Sequence, residues 1–284
     1  MNGITKIWES KKNQLFTIII GILLLLMIGW ATALFLPEPI DWIRTYRPAT
    51  RELIALRTPY SIKSFYNPPW ILIPTIPFAL LPDRFGNGLL FVVSFVTIIY
   101  SAIKSGGKAL SVSAFMLSFP VLFLLLFGQI DWLILLGFTL PPQIGLFFIL
   151  AKPQIAIPFT AYFLIDAFRK GGIKQVTKVF LPVTLAYIFS FIIYGIWFRN
   201  IDSNILTEIY NFSLWPIGIP IGIALIIKAI RLHKERFSII AGPFFSPYVG
   251  VHSWSIPLLA ILPNKWETLG FSIGTWIVCL IKIL

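Results

Sequence analysis

An all-α integral membrane protein is the fold class this sequence predicts, on three observations. Of its 284 residues, 57% are hydrophobic and only 12% charged, more apolar side chain than a soluble domain can bury. The apolar residues come in runs long enough to cross a bilayer or half of one. The basic residues fall in short clusters between those runs, as membrane topology requires. Topology thus accounts for the formal charge of +12, and no nucleic-acid partner is expected.

Residues 1–13 carry Lys6, Lys11 and Lys12, and residues 15–36 are then an apolar run. At 22 residues it exceeds the ~20 needed for a span. No small-residue cleavage site follows, so it reads as a retained first helix with its N-terminus in the cytoplasm. Lys104 with Lys108, Arg169 to Lys178, Lys228 to Arg236, and Lys265 mark the same side.

The first outer loop, residues 37–67, breaks this rule. It carries Arg44, Arg47, Arg51, Arg57 and Lys63 beside Glu38, Asp41 and Glu52 on the side where basic residues are disfavoured. Residues 40–56 read as an amphipathic helix lying in the interface, with Arg44, Arg47 and Arg51 on one face. Either those arginines touch lipid headgroups, or they hold an anionic ligand near Asp41. A helix start favours the ionised form of Asp41, which suits a base. Residues 59–70 follow as a proline-stiffened aromatic corner.

Residues 69–82 are too short to span, reaching roughly 21 Å against a ~30 Å hydrocarbon core, and read as re-entrant or interfacial. Residues 88–103 descend and 109–127 climb, with Gly106-Gly107 as a turn. Residues 130–140, 144–151 and 153–168 are then short pieces broken by prolines. Broken helices at membrane depth are tolerated where they line a cavity or are buried in protein. This stretch is therefore expected to wall a cavity, with Gly128-Gln129 and Lys152-Pro153-Gln154 near its outer mouth. Residues 179–198 climb to an outer loop with Arg199, Asp202 and Glu208, and four further apolar pieces follow up to residue 281. The whole reads as one transmembrane domain, residues 1–284, with about nine or ten transmembrane pieces, several short or re-entrant.

A cation inside a broken apolar stretch is a functional residue by default, which singles out Lys152, although a lysine there can also snorkel. Asp131 marks a span end or serves as an alternative acid or base. His252 has no second His or Cys near it, so no metal site is expected. Cys279 is the single cysteine, which excludes an internal disulfide and a cysteine-based metal cluster.

The order of Asp41 to Tyr46, Pro59-Tyr60, Phe65-Tyr66-Asn67-Pro68-Pro69, Gly128-Gln129, Lys152-Pro153-Gln154, and Ser246-Pro247-Tyr248 followed by His252 resembles the GT-C membrane glycosyltransferases. It is most similar to their polyprenyl-phosphate-mannose-dependent α-1,2-mannosyltransferase-like branch. The resemblance implies an inverting transfer of a hexose from a polyprenyl-phosphate carrier to an acceptor hydroxyl on the outer face of a prokaryotic cytoplasmic membrane. Asp41 then acts as base. Arg44, Arg47, Lys152 and Arg199 are expected to face the lipid phosphate, and Tyr66, Asn67, Gln129, Gln154 and His252 the sugar or phosphate. No cofactor is expected, and one base with a cationic clamp suffices for so good a leaving group. Members of the family are typically longer after the region matching Ser246 to His252. A reduced acceptor half, completed by a partner subunit, is therefore one alternative, and a non-catalytic subunit or a lipid-linked sugar flippase are others.

Overall fold

A computed structural model describes residue 16, residues 19–21, 23–25, 27–32, 34–200 and 210–283. The N-terminal lysines, Asp202 and Glu208 lie outside the described residues. The described chain is helical, and its one β feature is an isolated antiparallel bridge between Asn211 and Gly250.

An apolar helix, α1 (Ile19–Thr32), leads to the first loop. There a π-helical turn, Trp42–Tyr46, runs directly into α2 (Arg47–Ile54). A helix thus stands where the sequence predicts one, with one correction to its faces. A π turn holds an extra residue, which shifts the phase of the side chains beyond it. Arg44 stays exposed, but Arg47 turns inward and is only 4% exposed. Its guanidinium donates to Leu81 O at 2.7 Å and pairs with Asp83 at the start of the next long helix.

The segment after the aromatic corner is a 3-10 turn, Pro69–Thr75, continued by α3 (Ile76–Leu80). Together they stay too short to span, and Ile71, Leu72, Phe78 and Ala79 bury them in the core. Helix α4 (Asp83–Lys104) starts on an acid and ends on a lysine, as the helix dipole favours. Helices α5 (Ala109–Met116) and α6 (Phe119–Phe127) are bent by 56° at Leu117 and Ser118, before Pro120. Among the described residues, α4 and α9 (Pro153–Tyr194) are long and apolar enough to cross a membrane, or three spans exist if α5 and α6 count as one. This fits a membrane protein.

The backbone of α9 breaks at Gly171 and Gly172. Tyr187 donates to Leu150 O at 2.6 Å, although 34 straight helical residues between Pro153 and Tyr187 would separate them by roughly 50 Å. The two halves therefore run antiparallel, as a hairpin.

Several elements are half-length: α7 (Asp131–Gly137), α8 (Pro142–Ile149), α11 (Arg236–Ala241) and α12 (Ser255–Ile261). At ~1.5 Å per residue none exceeds about 12 Å. Helices α7 and α8 form a tight hairpin around Pro141-Pro142. Their backbones touch at Gly137 and Gly145, where a Cβ on Gly145 would sit 2.3 Å from Gly137 O. Only small residues permit so close an approach. The consequence is positional: Asp131 at the start of α7 and Lys152 just after α8 end side by side. Helix α10 (Ile219–Leu232) and the C-terminal α13 (Lys265–Ile283) complete the bundle.

Candidate functional site

Two hydrogen-bonded groups meet near the end of α6. The first begins with Gly128, which closes α6 in the left-handed region at φ +70°. A Cβ there would lie 2.7 Å from Trp42 Cβ and 3.0 Å from Pro39 Cβ, so glycine lets the first loop settle directly on the helix end. Gln129 and Asp41, 88 residues apart, are thereby joined: Gln129 Nε2 donates to Asp41 Oδ2 at 2.5 Å. Tyr46 Oη donates to Gln129 Oε1 at 3.1 Å, which fixes which end of the amide faces the carboxylate. Burial, then the charges of Asp131 and Asp41, hold the Tyr46 phenol well above its ordinary value, so it remains a donor. Asp41 is half-buried, and Gln129 is 8% exposed.

The second group is fully enclosed. Lys152 Nζ donates to Asp131 Oδ2 at 2.7 Å, to His252 Nε2 at 2.8 Å and to Ser253 Oγ at 3.3 Å. Ser253 donates to Asp131 Oδ1 at 3.2 Å. The ammonium carries three hydrogens, and all three are used inside the protein. Because His252 Nε2 accepts, its proton sits on Nδ1, which meets no protein partner among the described residues. The four residues are at most 6% exposed, so Lys152 lies buried and neutralised rather than at the mouth of a cavity, and the physical reason is the nearness of Asp131. The pair is satisfied on every side, as a charge placed in apolar surroundings must be.

His252 comes from a short segment held in place by the loop of residues 210–214. Phe212 N donates to Val249 O at 2.8 Å, Asn211 Nδ2 to Pro247 O at 3.1 Å, and Trp254 Nε1 to Phe212 O at 3.2 Å. Phe123 of α6 stacks on the imidazole with centroids 6.0 Å apart. Gly250 gives the ring its space, since a Cβ there would come within 2.5 Å of His252 Cε1.

The aromatic corner of the first loop clamps the other side. Asn67 Nδ2 donates to Ala151 O at 2.9 Å, one residue before Lys152, and Trp70 Nε1 donates to Phe147 O at 2.9 Å. Tyr60 stacks flat on Trp197, with centroids 5.4 Å apart, and donates to Asn67 O at 3.0 Å. Asn67 is thus spent on the backbone that positions Lys152. Tyr66 and Gln154 are half-buried, and Arg44 and Arg199 are exposed. Arg47 points away, to Asp83. A cavity of about 210 Å³ adjoins Gly128, lined by Glu38, Asp83, Arg84, Asn87 and Ser94, and its walls include neither Asp41 nor Lys152.

Of the residues the sequence singled out, Asp41 with Gln129, and Lys152 with His252 and Asp131, are brought together. Tyr46 and Ser253 were missed. Ser253 follows His252 directly, and Tyr46 lies five residues after Asp41, but neither spacing is distinctive. Among the described residues no group of three or more His, Cys, Asp or Glu side chains could hold a metal ion. No known family model, curated protein or solved structure matches the chain.

Proposed function

We propose that this is a membrane glycosyltransferase of the GT-C type, moving a mannose-like hexose from a polyprenyl-phosphate carrier to an acceptor hydroxyl on the outer face of a prokaryotic cytoplasmic membrane. In this reading the half-length helices count among about nine or ten transmembrane pieces, and the N-terminus is cytoplasmic. The observation that carries it is the 2.5 Å bond from Gln129 to Asp41, which fixes a first-loop carboxylate beside the Asp131, Lys152, His252 and Ser253 group.

Asp41 takes the proton of the acceptor hydroxyl as its oxygen attacks the anomeric carbon, and the carrier leaves as polyprenyl phosphate from the opposite face. Gln129, itself held by Tyr46, donates to one carboxylate oxygen and orients Asp41 towards the acceptor hydroxyl. Arg44, exposed three residues beyond Asp41, is the loop cation best placed for the departing phosphate. His252 Nδ1–H is the donor of the buried group with no protein partner among the described residues, whereas Lys152 acts through His252 by fixing its tautomer.

One observation favours a second reading. Lys152 and Arg47 are both neutralised within the protein, which suits a non-catalytic membrane subunit of the same architecture working with a partner. The Asp41→Asn substitution separates the two. Asn still accepts from Gln129 but cannot take a proton, so transfer of labelled hexose from polyprenyl-phosphate mannose by purified protein should fall by about 10²- to 10⁴-fold. Transfer at the parental rate would remove Asp41 as base. Absence of transfer in the parent, alone and with membrane extracts, would leave the subunit reading.

A further inference from the structure

Helix α13 borders an apolar slot of about 450 Å³ that shares no wall with Asp41, Gln129, Lys152 or His252. It extends between Trp254, Phe271, Gly274, Val278 and, at its end, Lys282. Among the described residues its walls carry that single cation and no carboxylate. The neighbouring face of α13 is also hydrocarbon, with Ile273, Ile277, Leu280 and Ile281 exposed. Lys282 donates to Asn211 O and stands 4.3 Å above the Phe212 ring, which leaves further ammonium hydrogens for an anion.

We infer that this slot holds the hydrocarbon chain of an anionic bilayer phospholipid, with the lipid phosphate on Lys282. A lone cation closing a greasy groove matches such a lipid in both charge and polarity. A free phosphate would leave the apolar walls unused. The lipid would also brace the site from behind, because the slot includes Phe212 and Trp254, which are bonded to each other and flank the segment carrying His252. This inference does not depend on the transferase reading.

Gly274 supplies a clean test. A Cβ built on it meets nothing within 4 Å, so Gly274→Leu extends a side chain from an open wall position into the slot. Native mass spectrometry of the purified full-length protein, released from detergent micelles doped with phosphatidylglycerol or phosphatidylcholine, reads the bound lipid. The parent should prefer phosphatidylglycerol by about fivefold, the factor expected of one lysine facing a lipid of net negative charge, since phosphatidylcholine offsets the same phosphate with its choline. Lys282→Met should erase that preference, and Gly274→Leu should reduce adducts of both lipids. Equal binding of the two lipids by the parent, or full retention by Gly274→Leu, overturns the proposal. So does displacement of phosphatidylglycerol by an equal concentration of polyprenyl phosphate, which makes a carrier lipid the occupant. Protein dimers in place of lipid adducts overturn it as well, in favour of a second copy.

Discussion

The Asp41 group and the Asp131 group lie close together, yet they solve opposite problems. Asp131 is fully buried and must be cancelled, and it is: Lys152 and Ser253 occupy both its oxygens. Asp41 is half-buried and is held by an amide through one oxygen. An amide orients a carboxylate without neutralising it, whereas an ammonium does both. The lesson is that the charge buried deepest here is the one least able to do chemistry. The more exposed carboxylate is the one the proposed transfer would use.

Substitution at Asp131 should break this contrast most severely. Asp131→Ala leaves the Lys152 ammonium in an apolar interior without its counter-charge, a loss of about 3 to 5 kcal/mol when a buried pair is broken one-sidedly. The expected outcome is a large drop in the thermal unfolding midpoint of the purified protein. The double variant Asp131→Leu with Lys152→Met removes both charges and should recover most of that loss. If the single variant is as stable as the parent, the pair is not the internal brace described above.

Asp41→Asn should behave in the reverse way. The bond from Gln129 weakens from charge-assisted to neutral, a change of about 1 kcal/mol in stability. Activity should carry the whole effect, the 10²- to 10⁴-fold fall expected when a general base is lost. An equal fall in stability would mean that Asp41 is a structural carboxylate like Asp131.

Tyr46→Phe sharpens the comparison at a smaller scale. It leaves Gln129 Oε1 without a donor and frees the amide to turn its oxygen towards Asp41, at a cost of about 1 to 2 kcal/mol. Transfer should slow while the pH profile keeps its shape, because the base itself is untouched. A shifted acid limb would instead make Tyr46 part of the titrating group.

Much of this arrangement was legible in the sequence, and the limits have physical causes. The broken stretch of residues 130–168 announced the half-length α7 and α8 through its prolines. Lys152 stood out because a cation in an apolar run needs a reason. What the run could not convey was its partner: Asp131 meets Lys152 only because Gly137 and Gly145 let α7 and α8 touch. Arg47 was misplaced for a related reason. Its spacing from Arg44 and Arg51 fits one face of a regular helix, and a π turn is invisible to that count. Periodicity reports faces, and the side a face turns to depends on packing that is not local.

The smallest expected effect lies in the same loop, at the surface, and acts as a control on the comparison. Arg57 donates to both oxygens of Glu52, at 2.6 and 2.9 Å, and this hydrogen bonding, with the charge of Arg57, holds the Glu52 carboxyl below its ordinary value. A folded-state value below the unfolded one contributes stability above the unfolded value, about 4.3 for glutamate, and loses it as pH falls through the lower folded value. The pair is solvated, so water and salt screen most of its attraction. Glu52→Gln should therefore leave the unfolding midpoint at pH 7 unchanged within measurement error, with any difference from the parent fading further in the acid range. A loss at pH 7 comparable to that of Asp131→Ala would mean that the arginines of this loop act through fixed ion pairs. The distinction between a surface that is merely charged and an interior that must be balanced would then not hold.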